Sequence, residues 1–141
     1  MGSRGTELGA EKPLARNDRY DGHTPSDAID LEYLRRFTLG NAALEEEVLR
    51  LFMDHAPLYL EQLRNAKTGK EWAEAVHTIK GSSAAIGARR LTRIAEMAER
   101  LHLESADAVT HDENLRAQAI AAVTQAMEDV RGCIQRLLAL Q

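Results

Sequence analysis

Cysteine occurs once in this 141-residue chain, proline three times, and aromatic side chains at only 4% of positions. A lone Cys133 leaves no intrachain disulfide to staple the fold, and a reducing cytoplasm is the expected compartment. Long hydrophobic runs are missing too. None approaches the roughly 18–20 residues that span a bilayer, and the amino terminus lacks the apolar stretch of a secretory signal. Charge of one sign is also scarce: 22 acidic against 18 basic residues leave a formal net charge of −4. That balance gives no long-range field to gather nucleic acid. With one Trp, three Tyr and two Phe, any core must be filled by Ala, Leu, Ile and Val. Hydrophobic residues at 44% suffice for one core, and so little proline and glycine in an Ala/Leu-rich chain predicts a single all-α domain.

Residues 1–26 mix charges, glycines and two prolines without sustained periodicity and read as a flexible extension that includes His23. Residues 27–141 read as the folded domain. Order is expected to begin near Ser26 or Asp27, with a short helix through about Phe37 whose apolar positions are Ile29, Leu31, Leu34 and Phe37. After the Leu39–Gly40–Asn41 break, Asn41 can cap a second helix running to about Asn65. Leu44, Val48, Leu51, Phe52, Tyr59 and Leu63 define its expected apolar arc, and Pro57 should kink it or mark a junction. The Lys67–Lys70 turn precedes a third helix to about Ile86, and Gly87 bends or ends it. A fourth helix continues to about Leu103, using Leu91, Ile94, Ala95, Ala98 and Leu101. Ser105–Asp112 is expected to be a loop. The last helix, from about Glu113 to Leu140, carries Leu115, Ala119, Val123, Ala126, Val130, Ile134, Leu137 and Leu138 on one side, with Met127 and Cys133 in or beside the core. Four amphipathic helices on short loops predict an up-down-up-down antiparallel four-helix bundle with a short additional N-terminal capping helix.

The third helix carries the chemistry. With His77 at zero on a helical wheel, Ala75, Ile86, Ile79, Trp72 and Val76 fall between about 160° and 260°, a coherent face opposite the histidine. On the histidine's own side lie Ala73, Lys80, Ala84 and Gly81, at about 320°, 300°, 340° and 40°. His77 is therefore expected to face solvent. An imidazole titrates close to neutrality and keeps one ring nitrogen free as a nucleophile. A phosphoryl group on that nitrogen would lie within reach of Lys80, three residues on, whose ammonium can donate to phosphate oxygens. Gly81 and Ala84 present no bulk to the phosphate or to an incoming protein. A mid-helix glycine costs roughly 1 kcal/mol against alanine, which calls for a steric reason. Ser82 and Ser83 flank the buried face and are expected to bond to helix carbonyls or a neighbouring helix.

The run His77-Thr78-Ile79-Lys80-Gly81-Ser82-Ser83-Ala84-Ala85-Ile86-Gly87-Ala88, followed by Leu91, resembles the signature of histidine-containing phosphotransfer (HPt) domains, the intermediate carriers of multistep two-component phosphorelays. The resemblance covers about residues 27 to 140. It implies a helical bundle in which His77 accepts a phosphoryl group from the aspartate of one receiver domain and relays it to that of another. Lys80 would then stabilise the phosphate and Gly81 would provide clearance. Implied partners are receiver domains of a hybrid histidine kinase or of response regulators, docking about Ala73, Ala84, Arg89 and Arg90. Two positions depart from the pattern. Some members place a glutamine where Glu99 stands; a carboxylate there can accept from the free imidazole but would repel a phosphate, or it simply faces solvent. Lys70 stands where many members have an acidic residue.

Arg89, Arg90 and Arg93 read otherwise as a solvated face, and His55, His102 and His111 as surface or helix-end residues. No pair of histidines has metal-ligand spacing, so no cofactor is expected on this chain; by the resemblance, a divalent metal belongs to the partner receiver's acidic pocket. A kinase dimerisation domain is disfavoured, because Thr78 rather than an acid follows His77 and no proline follows Pro57. Nor is there a Gly-rich nucleotide lobe, so the chain is expected to be a phosphocarrier without its own ATP-dependent kinase activity. A non-catalytic adaptor that binds a receiver or kinase is the alternative, and His77 with Lys80 and Gly81 argues against it. All apolar stripes can be satisfied within one chain, which predicts a monomer with no membrane or nucleic-acid partner.

Overall fold

The computed structural model describes residues 28–104 and 113–139, the side chains of 102–104 excepted. The expected extension 1–26 with His23, the expected loop with His111, and the His102 side chain lie outside the described residues. Among the described residues five helices follow in order: α1 (Leu31–Phe37), α2 (Ala42–Asn65), α3 (Gly69–Ala85), α4 (Arg89–Glu104) and α5 (Glu113–Ala139). Each of the four long helices packs on the next and α2 closes the ring against α5, a four-helix bundle preceded by a short helix. No β-strand occurs among the described residues. None of the helices described is long and apolar enough to cross a membrane.

Local chemistry sets the boundaries. Asp30 Oδ1 accepts from the Tyr33 N–H at 3.1 Å and starts α1, so the helix begins later than expected: Ile29 is buried but precedes it, and Phe37 at its end is exposed. Asn41 Oδ1 does the same for α2, accepting from the Leu44 N–H at 3.0 Å. Between them Leu39 and Gly40 take left-handed φ of 56° and 74°, reversing the chain. Before α3 a capping box forms: Glu71 N–H donates to Thr68 Oγ1 at 3.1 Å, while Glu71 Oε1 accepts from the Thr68 N–H at 3.3 Å. Thr68-x-x-Glu71 is a helix-start pattern that the sequence itself carries.

The core is aliphatic around one indole. Trp72 is fully buried and its Nε1–H donates to the Ala98 carbonyl at 2.8 Å, tying α3 to α4. Met127 and Cys133 are buried, as expected. The expected apolar arc of α2 is met only in part, at Phe52 and Leu63. Its buried stripe is Glu45, Leu49, Phe52, Ala56, Leu60 and Leu63, whereas Leu44 and Leu51 are exposed and Val48 and Tyr59 only partly buried. Apolar residues occupy most sides of this helix, so periodicity alone could not place its centre; packing against α3 and α5 does. Buried Glu45 lies 3.4 Å from Arg35 Nε, which ties α1 to α2. Pro57 marks no junction, for α2 runs through it. The proline is on the exposed side, where water can serve the carbonyl left without its donor. On α5, Leu115 is likewise outside the core.

Candidate phosphoacceptor site

The α3 helix turns the expected face inward: Trp72, Ala75, Val76, Ile79 and Ser83 are buried. His77 is exposed on the other side, with Gly81 and Ala84 also exposed above it. Ala73, one turn below, is half-buried. A methyl group built on Gly81 would meet, beyond its own helical turn, no atom of the described residues within 4 Å, so none of those residues requires a glycine there. Among the described residues the space in front of it is open.

Lys80 leans toward α4. Its Nζ donates to Glu99 Oε1 at 3.0 Å, and the two side chains are 30% and 31% exposed. Glu99 therefore does not simply face solvent; the hydrogen bond it accepts comes from the lysine. Nineteen residues separate the two, and no local pattern announces such a pair. Beneath them Ser83 is buried; its hydroxyl lies 3.1 Å from the Lys80 carbonyl and 2.9 Å from Thr92 Oγ1, which in turn donates to the Ala88 carbonyl at 2.9 Å. Ser83 thus joins α3 to α4 rather than offering its hydroxyl to a ligand, and the lysine's turn is backed by packed structure.

The arginines divide. Arg89 is exposed and pairs with Asp30 at 2.8 Å. Arg90 is half-buried and reaches across to Asp129 of α5 at 3.5 Å, so it is not part of a solvated face. Arg93 is exposed and, with Ala84, Arg89 and Glu96, lines an open cleft above the histidine's face. On the α2 side, Ser82 and Ala85 border an apolar groove with Leu51, Tyr59 and Phe37. His55 is exposed, stacked on Tyr59, with its Nδ1 2.9 Å from the Leu51 carbonyl.

Fold and site together define a helical bundle that presents one exposed histidine beside a cationic side chain and a cleared surface. The Hpt domain family model matches residues 47–139, which include His77, Lys80, Gly81 and Glu99, and the chain belongs to that family. Its role is accordingly histidine phosphotransfer in a phosphorelay, with receiver domains as the kind of partner. No curated protein and no solved structure matches the chain.

Proposed function

We propose that His77 is the phosphoacceptor, taking a phosphoryl group from a receiver aspartate and relaying it to the aspartate of a response regulator. In the first step the lone pair of the unprotonated ring nitrogen forms the N–P bond while the P–O bond to the donor aspartate breaks. The carboxylate leaves with the bonding pair, and the other ring nitrogen keeps its proton. The second step runs the same exchange in reverse toward a different carboxylate. Lys80 donates to the phosphoryl oxygens as negative charge gathers at the ring. Gly81 leaves room for the receiver to close, and Ala73, Ala84 and Arg89 are proposed docking residues, whereas Arg90 is turned to Asp129 and drops out of that set. The carrier acts as a cytoplasmic monomer, and any divalent ion sits in the receiver's acidic pocket.

The observation that carries this reading is the exposure of His77 on the face opposite the buried stripe of α3, with Lys80 three residues on and open space at Gly81. The test is His77→Gln. Incubation with a phosphorylated receiver should place an acid-labile, base-stable label on the parent and none on the variant. Melting should stay within about 0.5 kcal/mol, since the residue is exposed. Label persisting on another residue would overturn the assignment.

A further inference from the structure

Lys80 is not a free cation beside the histidine. Its ammonium is anchored at 3.0 Å by Glu99 from the neighbouring helix, both side chains about two-thirds covered. An ammonium has three protons, so one bond to Glu99 leaves two for another acceptor. The anchor has two opposed consequences. It removes rotamers from a long, flexible side chain and so keeps the charge near the turn of His77. It also sets a negative charge against the positive one, which cancels much of the field that a phosphoryl group, itself carrying about −1.5 to −2, would feel from the lysine.

We propose that Glu99 is a positioning residue that acts through Lys80. It holds the lysine in place and, by sharing it with the phosphoryl group, keeps phosphohistidine only weakly stabilised, so that His77 gives its phosphoryl group up readily. The inference rests on the reading of His77 as phosphoacceptor. A glutamine in place of Glu99 separates the two consequences, because its carbonyl still accepts from Lys80 while the charge is gone.

Phosphoramidate serves as donor. The ring nitrogen attacks phosphorus as the P–N bond to the ammonia group breaks and ammonia leaves with the pair. Added ammonium keeps the exchange reversible, and ³¹P NMR reads the ratio of phosphorylated to free His77. Glu99→Gln should raise that ratio about three- to tenfold, the scale of a partly exposed ion pair. Lys80→Ala should lower it. In Lys80→Ala/Glu99→Gln the ratio should match Lys80→Ala within about twofold, because the charge acts through the lysine. A labelled parent with an unchanged Glu99→Gln ratio overturns the role of Glu99. A full increase that persists without Lys80 also overturns it, placing the carboxylate's effect directly on the phosphate. Absence of label in the parent, or label that survives His77→Gln, brings down the phosphoacceptor reading itself and is thereby distinguished from both.

Discussion

Gly81 and Gly87 lie six residues apart and tolerate a side chain in opposite ways. Gly81 sits inside α3 with ordinary helical geometry, and an added Cβ meets none of the described residues beyond its own turn within 4 Å. Its cost is conformational only, so Gly81→Ala should stabilise the fold by about 1 kcal/mol in urea denaturation. The functional consequence appears with size. In Gly81→Leu the extra bulk stands one turn above His77, where a receiver has to close, but leaves the imidazole open to a small donor. Labelling by phosphoramidate should therefore stay partly intact, while exchange with a phosphorylated receiver falls by at least about tenfold, equivalent to about 1.4 kcal/mol. Equal receiver exchange in Gly81→Leu and the parent would show that docking takes place elsewhere. Sequence reasoning could reach the histidine, lysine and glycine because all three lie on one helical face. The partner of Lys80 was out of reach, since Glu99 meets it only when α3 and α4 pack.

At the scale of elements, the α3–α4 turn is also where the short first helix is fastened. Asp30 caps α1, its N–H donates to the Gly87 carbonyl at 2.9 Å, and its carboxylate pairs with Arg89 at 2.8 Å. Gly87 has φ of +77°, and a Cβ there would lie 3.0 Å from the Asp30 carbonyl oxygen and 3.2 Å from a Tyr33 ring carbon. Gly87→Ala thus combines a left-handed backbone penalty of about 1–2 kcal/mol with backbone overlap. It should destabilise the domain by at least about 2 kcal/mol and raise hydrogen exchange in α1. A neutral Gly87→Ala would mean that α1 is not held by this turn. Helix boundaries were readable because the Asn41 side chain can accept from a first-turn N–H and Gly87 can take the left-handed backbone that ends a helix. The rotation of α2 was not readable: Leu44, Leu49, Leu51, Phe52, Leu58, Leu60 and Leu63 surround most of it. Only the neighbours decide that Leu49 and Leu60 go in while Leu51 and Leu58 stay out.

At the scale of the whole molecule, Arg116 ties helix ends together near the start of α3. Arg116, in the first turns of α5, donates to the carbonyls of Ala66 at 3.1 Å and Arg64 at 2.7 Å, at the C-terminal end of α2. Its guanidinium also lies 5.5 Å from the centroid of the Trp72 ring. A cation there meets carbonyls that have no helical donor left and complements the negative end of the α2 dipole. The same group stacks on the indole whose N–H reaches α4, so α2, α3, α4 and α5 meet at two side chains. Truncation in Arg116→Ala removes both carbonyl bonds and the ring contact together. It should cost about 1–3 kcal/mol, with Arg116→Lys recovering only part because an ammonium can donate to the carbonyls but has no planar face to lie over the indole. Trp72 is the sole tryptophan and fully buried, so its emission reads the global transition without labelling. The urea midpoint followed at Trp72 should drop in Arg116→Ala, while His77 takes phosphate from phosphoramidate at the parent rate in buffer alone, because Arg116 touches the opposite, buried side of α3. A slower labelling rate in the folded variant would show that this tie also sets the geometry of the phosphoacceptor face. An unchanged midpoint would show instead that the aliphatic core, and not Arg116, holds the four helices in register.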